Sequence, residues 1–508
     1  MLFTQLLSPI ALRNGNSIAF RYLGKGTTYR EFWETSNRFS YYLQKEIGQG
    51  LRVGLWMSNC PHIAYSFIAL TNIKSCTVPF NPWATPEENI FKIKSSQVTV
   101  MLCSSDHTKS LKEFLRENGL SSINVIDMES KHCGEYDPIF SPPANHQPHE
   151  NDNILLFYTH GTTGPLKGCL FNHKAVSQTV SGVRSAYKPL TSDVFFSQLH
   201  YSLPFSFIHY LLVPLVAGAG VYISDQRDPE LLLSDLVQNR VTKMAPNPKD
   251  VLALLKTSEE IKLPLVTVKH FSLNGDALSN EVWKTLKQTT QVGVIQNYGL
   301  TEYLGSIAMG TPNHLAEESK KGWIGPALIG TQVRLMDENN EEVDKKKSQI
   351  GQIIVSGSSI MTRYLDLPDE QKQRIRGTWL YTGDMGAFDK EGNILFLERK
   401  ADLITYQNDG NAIKVYPKPL ESILYQLPQV QEAAFISIRD RTKNIKPAVV
   451  IVRKPQAPLH ETEVLEWMRP KLPNPLMLPD FVFFVDTVPR TYNGGINRAK
   501  LRGMFEGS

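Results

Sequence analysis

The sequence predicts an α/β protein: a large N-terminal domain of layered sheets and helices, followed by a small α+β C-terminal domain. Three observations carry this expectation. Short apolar, strand-like runs alternate with amphipathic segments, the pattern of helices packed on sheets. The chain of 508 residues is 41% hydrophobic and 20% charged, enough material for more than one core. The charged stretch Glu398-Arg399-Lys400 separates the strand-like ILFL from a new apolar run. About 100 residues follow it, the size of one small domain. The expected division is therefore 1–399 and 400–508.

The elements follow in chain order. Thr28-Tyr29-Arg30-Glu31 reads as a capping box opening a helix, with Phe32, Phe39, Tyr42 and Leu43 on its buried face. RVGLWM (Arg52–Met57) reads as a strand and Ile63–Leu70 as a helix. VTVML (Val98–Leu102) and INVID (Ile123–Asp127) are further buried strands, and Ser130–Asn151 is a polar surface connection. The longest apolar stretch, Tyr210–Ile223, contains a proline and is shorter than the ~20 residues a bilayer span requires. It is expected to be a buried helix running into a strand. In the last domain, residues 432–438, 447–453 and 480–486 are strand candidates. A helix between the last two would place Val464, Leu465, Met468 and Leu472 on one face.

Charge and cysteine usage exclude some classes. Lysine and arginine total 54 against 50 acids, a net charge of +4 with no long basic block, so no nucleic-acid footprint is expected. The 5 cysteines are scattered, without a CxxC pair or a metal-ligand cluster. A reducing, intracellular setting fits that usage. The first residues lack the basic, apolar and small-residue regions of a secretory signal. A soluble, cytoplasmic protein is expected.

Three stretches suggest chemistry. YTHGTTGPLKG (Tyr158–Gly168) follows the apolar run ILLFY. Its glycines allow backbone N–H groups to turn toward an anion, its threonines add hydroxyls, and Lys167 adds a cation. The spacing is not that of the Walker loop, and taken singly the stretch reads as a surface turn. IQNYGLTEY (Ile295–Tyr303) puts Tyr298 beside a glycine, suited to stacking on a base, with Thr301 and Glu302 suited to a phosphate and its Mg²⁺. Taken singly it is a strand end. In Trp379–Ile404, Asp384 sits in what reads as a tight Thr-Gly-Asp turn, suited to accepting two ribose hydroxyl protons, and Arg399 lies at the expected boundary. Taken singly, DKEG is a hairpin turn and Arg399 a solvated charge.

The order of the motifs is more specific than any one of them. YTHGTTGPLKG, LNGDALS (Leu273–Ser279), NYGLTE, YTGD, ERKAD and PRTYNGGINRAKL (Pro489–Leu501) together resemble the adenylate-forming superfamily. That family contains acyl- and aryl-CoA ligases, peptide-synthetase adenylation domains and luciferases. TYREFWE and GPALIGTQVRLMDENN extend the likeness over nearly the whole chain. The resemblance implies a large N-terminal domain and a mobile C-terminal one.

It also implies roles for residues. His160, Gly161, Thr162, Thr163, Gly164 and Lys167 would wrap the β- and γ-phosphates of ATP. Gly275, Asp276 and Ala277 would line the adenine and Tyr298 would stack on it, with Asn297, Gly299, Leu300 and Thr301 as further cofactor-binding positions. Glu302, with Thr162, would hold Mg²⁺, and Asp384 and Arg399 would hold the ribose. The catalytic set implied is Thr162, Lys167, Glu302 and Arg399. A carboxylic acid would become an acyl-adenylate, and rotation of the small domain would then admit the thiol of coenzyme A or of a carrier protein's phosphopantetheine.

The sequence departs from the family at several places. His160 replaces a small residue in the phosphate loop, where it would donate to phosphate or act as a neutral filler. Pro165-Leu166-Lys167 replaces the usual Pro-Lys, and Ala401 occupies the hinge position. A longer turn, Thr405–Pro417, replaces a short glycine-rich one. The C-terminal motif normally ends in a lysine, which here is Gly495; Lys500, Lys414 and Lys418 are the candidate substitutes. Two readings stand: an acid–thiol ligase, or a catalytically impaired relative that binds nucleotide or acyl-adenylate and acts as a binding partner. The stretch Leu199–Leu215 has no acid to pair with an α-ammonium, so an apolar, fatty or aromatic acid is expected. Tyr201, Phe205, Phe207, His200 and His209 would line its pocket or pack a buried helix.

Overall fold

A computed structural model describes residues 1–129, 147–159, 166–247, 250–263, 265–274, 285–286, 288–310, 322–344, 349–408, 411–440, 442–472, 474–490 and 496–506. The chain divides into two compact units. One takes in Met1–His160, Leu166–Val333 and Val355–Leu380; the other takes in Arg334–Ile354 and Tyr381–Ser508.

The first unit is built on two sheets of mostly parallel strands. In the seven-stranded sheet the order is 363–364, 168–172, 153–158, 76–80, 52–56, 100–103, 124–127. Neighbours from 153–158 to 124–127 pair in parallel. The eight-stranded sheet runs 308–309, 293–298, 270–274, 243–245, 194–197, 220–223, 18–22, 25–28, with antiparallel pairing only at its two edges. The apolar runs are continuous rather than alternating because both faces of these sheets are covered. One core cluster combines Leu55, Phe157 and Phe171 of the first sheet with Phe20, Phe195 and Val221 of the second.

Local signals placed these elements well. Helix Tyr29–Ile47 opens on the predicted capping box: Thr28 Oγ1 accepts from the Glu31 amide at 3.2 Å, and Glu31 Oε2 accepts from the Thr28 amide at 2.7 Å. Phe32, Phe39 and Leu43 are buried, and Tyr42 is half-buried against the same core. Strands Arg52–Trp56, Val100–Cys103 and Asn124–Asp127 and helix Pro61–Asn72 lie where they were expected. The stretch 210–223 is a buried helix followed by strand Gly220–Ile223, as predicted. Residues 130–146 of the expected surface connection lie outside the described residues.

In the second unit, a three-stranded sheet joins Val430–Arg439, Ile445–Arg453 and Phe481–Val485. Alternate residues serve two cores: Ala433, Phe435, Val449 and Ile451 in one, Ala434, Ile436, Ala448 and Val450 in the other. Helix Glu461–Met468 buries Val464 and Met468, while Leu465 is only partly buried. Two expectations are corrected. The stretch Thr405–Pro417, expected as a lengthened turn, belongs to a β-hairpin, Ile404–Asn408 against Asn411–Val415, because the strand-forming TYQ and AIKV pair in register. Asp384 does not sit in a tight turn; it lies inside strand Trp379–Phe388, which passes through Gly383 at φ 76°. The bland reading of DKEG does hold, since Asp389 closes a turn on the Glu391 and Asn393 amides.

Candidate active site

Lys167 stands at the foot of a hairpin. Strands Asn153–Tyr158 and Gly168–Asn172 pair antiparallel, and the connection is closed by Thr159 N–H donating to Lys167 O at 2.9 Å. Lys167 N–H in turn donates to Thr159 Oγ1 at 3.1 Å. These bonds fix the lysine's backbone, and its side chain reaches Glu370 Oε2 at 2.5 Å with Nζ 5.8 Å from the centre of the Tyr364 ring. His160, Gly161, Thr162, Thr163 and Gly164 lie outside the described residues, as do Gly275, Asp276, Ala277 and Gly495.

Glu302 arrives from the other sheet. Strand Gly293–Tyr298 ends at Gly299, and a single 3₁₀ turn, Thr301–Tyr303, carries the carboxylate. Gly299 is required by packing: a Cβ there would lie 2.1 Å from the Gly305 carbonyl oxygen. Gly305 itself has φ 86°, a conformation that glycine adopts without strain. Asn297 ties the turn together, its Nδ2 donating to Asn274 Oδ1 and to Gly305 O, both at 2.8 Å. Leu300 is buried, while Tyr298 and Thr301 are partly exposed.

Lys167 and Glu302, remote in sequence, meet at Tyr364. The Tyr364 hydroxyl donates to Glu302 Oε1 at 2.8 Å, and Arg374 Nη2 stands 3.6 Å from the same oxygen. Burial first, then the adjacent Glu302 carboxylate, push the Tyr364 phenol far above its ordinary range, so it remains a donor. Tyr364, Glu370 and Arg374 were not singled out in the sequence. Their signal was weak: a short charged helix, Pro368–Arg374, with nothing buried. Mg²⁺ takes few protein oxygens and completes its shell from phosphates and water, so a single carboxylate such as that of Glu302 would suffice to hold it. Among the described residues no group of three or more His, Cys, Asp or Glu is placed to hold a metal by itself.

In the second unit, Asp384 and Arg399 are opposite each other on adjacent antiparallel strands. Arg399 Nε lies 3.1 Å from Asp384 Oδ1; Asp384 is fully buried and Arg399 half-exposed. Thus Arg399 is not the merely solvated charge of the bland reading. The three lysines that the sequence offered as substitutes at Gly495 lie at different places within this unit. Lys414 pairs with Glu338, Lys418 lies over the Phe396 ring, and Lys500 is exposed on the C-terminal helix.

Of the two readings of Leu199–Leu215, pocket or buried helix, the second holds for most of its aromatics. Tyr201, Phe205, Phe207 and His209 are at most 2% exposed. Phe207 packs edge-on against Phe67 and Phe157. His209 belongs to a buried polar chain: Nδ1 bonds Tyr187 OH at 2.9 Å, Nε2 bonds Ser306 Oγ, and Ser306 donates to Asn297 Oδ1 at 2.8 Å. Burial holds the His209 imidazole down at about 3, and that of His200, bonded to Met57 O, at about 4. Both are neutral near pH 7. His209 thus braces the turn that carries Glu302.

The chain is similar to known proteins over nearly its whole length. A family model described as AMP-binding enzyme matches residues 9–365, and one described as AMP-binding enzyme C-terminal domain matches residues 419–494. The chain is 26% identical over 496 residues to 4-coumarate–CoA ligase 3 of Oryza sativa subsp. japonica, covering 95% of this chain and 88% of that one. It is 25% identical over 534 residues to a long-chain-fatty-acid–CoA ligase of Escherichia coli O6:H1, covering 97% and 93%. The fold matches ATP-bound MatB from Rhodopseudomonas palustris with a TM-score of 0.85 at 22% identity, covering 100% and 99%. It also matches the anthranilate CoA ligase AuaEII with anthranoyl-AMP, with a TM-score of 0.85 at 23% identity, covering 100% and 97%.

Proposed function

The chain belongs to the AMP-binding enzyme family, and on that footing we propose that it joins a carboxylic acid to a thiol at the expense of ATP. The acid is apolar, fatty or aromatic, and the thiol is that of coenzyme A or a carrier protein's phosphopantetheine. One observation carries the reading: Lys167 and Glu302 meet around Tyr364, giving a cation for phosphates and a carboxylate for their metal within one cluster. The named activities of the relatives, on 4-coumarate and long-chain fatty acids, support an apolar or aromatic acid.

In this reading Lys167, with the loop 160–164, neutralises the β- and γ-phosphates. Glu302 and Thr162 hold Mg²⁺, whose charge offsets that of the triphosphate. Tyr298 stacks on adenine beside Asn297, Gly299, Leu300, Thr301 and the strip 275–277, while Asp384 and Arg399 take the ribose hydroxyls. A carboxylate oxygen of the acid attacks the α-phosphorus. The bond from that phosphorus to its bridging oxygen breaks, and pyrophosphate leaves with the electron pair. In the second step the thiolate attacks the acyl carbon, the bond from carbonyl carbon to AMP oxygen breaks, and AMP leaves. The thiol proton passes to solvent. Protein groups here position and neutralise rather than react. The division into 1–399 and a mobile 400–508 belongs to the same proposal, as does a cytoplasmic setting, which four buried, unbridged cysteines suit. Among the described residues no helix is long and apolar enough to cross a membrane.

Acid-dependent exchange of labelled pyrophosphate into ATP, over a panel of fatty, aryl and short branched acids, is the test. Exchange with one class establishes the first step and names the substrate. Silence across the panel, with ATP still bound, favours the second reading that Gly495 motivates: a nucleotide-binding relative acting through a partner.

A further inference from the structure

The short helix Pro368–Arg374 presents two opposite charges to the two groups assigned to the nucleotide. Glu370 sits on Lys167 at 2.5 Å, where a phosphate oxygen would sit. Arg374 stands 3.6 Å from Glu302 Oε1, where a cation would sit. We propose that Glu370 and Arg374 are an internal stand-in for the magnesium–triphosphate complex, which nucleotide must displace, and that they set nucleotide affinity and its metal requirement. The inference rests on the nucleotide reading of Lys167 and Glu302.

Three features of the structure support it. The polarity is matched at both positions: the carboxylate meets the cation and the guanidinium meets the carboxylate, so the cluster of four side chains sums to zero charge without ligand. The helix is one that can yield. None of its seven residues is buried. Its hold on the rest of this unit includes Gln371 Oε1, which accepts from the Tyr364 amide at 2.9 Å, and the two charged pairs. Glu370 is also the most exposed of the four, with 42% of its side chain accessible, so turning it into water desolvates nothing. An exposed pair such as Lys167–Glu370 contributes modestly. The latch is therefore a tuning device that ATP overcomes rather than a block.

The test is equilibrium binding of ATP to the full chain, read by displacement of a fluorescent ATP analogue. Glu370→Gln keeps the side chain's shape and removes its charge. It is expected to tighten ATP about two- to fivefold at low salt, with the gain shrinking at 0.5 M salt as the pair is screened. The gain is expected to vanish in a Lys167→Ala background, which a merely structural role for Glu370 does not predict. Arg374→Gln is expected to lower the Mg²⁺ concentration giving half-maximal ATP binding by a similar factor. Unchanged or weakened ATP binding by a folded Glu370→Gln variant, or an unmoved Mg²⁺ midpoint in Arg374→Gln, overturns the proposal. If the wild-type chain supports pyrophosphate exchange while both variants behave as wild type, only the latch falls. If the wild type neither binds ATP nor exchanges pyrophosphate, the nucleotide reading falls and takes the latch with it.

Discussion

Asp384 and Arg399 face each other across paired strands, Arg399 Nε 3.1 Å from Asp384 Oδ1, with the carboxylate fully buried and the guanidinium half in water. The pair sets a partly exposed cation against a buried carboxylate. If it accepts ribose hydroxyls, Asp384→Ala removes charge-assisted bonds of about 1.5–3 kcal/mol, a ten- to hundredfold rise in the KM for ATP. Arg399→Leu is expected to cost more stability than Asp384→Ala, because it takes the cation from a fully buried carboxylate, whereas Asp384→Ala leaves a half-exposed guanidinium that turns into water. Exchange kinetics and thermal denaturation on both variants check this.

Gly299 is the position where the smallest change should do most local harm. A methyl group there meets the Gly305 carbonyl oxygen at 2.1 Å, and backbone on both sides must move. Gly299→Ala is expected to cost roughly 2–4 kcal/mol and to weaken ATP binding through a displaced Glu302. A melting temperature equal to that of wild type would contradict the close approach.

In the proposed reading Gly495 takes the place of a catalytic lysine, and one preorganised charge of that kind is worth about 10²–10³ in rate. Gly495→Lys is therefore expected to speed acid-dependent pyrophosphate exchange. An unchanged rate would mean that another cation already acts there, and single alanine variants of Lys414, Lys418 and Lys500 would identify it.

Acid should destabilise the protein through its buried histidines. Burial holds His209 at about 3 and His173, whose Nδ1 accepts from the Phe3 amide, at about 4. Both lie below the ordinary value near 6.5, so the unfolded chain binds the extra protons. Stability from these two is fully present above pH ~6.5 and is lost as pH falls toward their folded values. Each unbound proton contributes about 1.4 kcal/mol per pH unit in that window, so two give roughly 3. Urea titrations between pH 7 and 5 measure the slope, and His209→Gln is expected to reduce it by one proton's share.

Much of the fold was legible because its signals are local. The Thr28–Glu31 box needs only neighbouring backbone amides to form, and it opened a helix where it was expected. The strand runs at 52–56 and 430–439 carry their own propensity, and the order of motifs along the chain was enough to indicate the family. Parts of the site were less legible. Asp384 looked like a turn residue because Thr-Gly-Asp is turn chemistry, but pairing with the strand that ends in Arg399 overrode it. The aromatics and histidine of 201–209 could line a pocket or pack a buried helix, and the burial of these side chains decides for packing.

The sequence by itself determined the layered α/β design, the small α+β domain, and the residues that chemistry would single out, since each depends on spacing and residue type over a few positions. Only the tertiary structure decided that Lys167 and Glu302 share Tyr364, and that Glu370 and Arg374 stand against them. Those contacts join segments far apart along the chain, brought together by the pairing of sheets and the burial of apolar faces. No local pattern records which distant side chains such folding leaves within reach of one another.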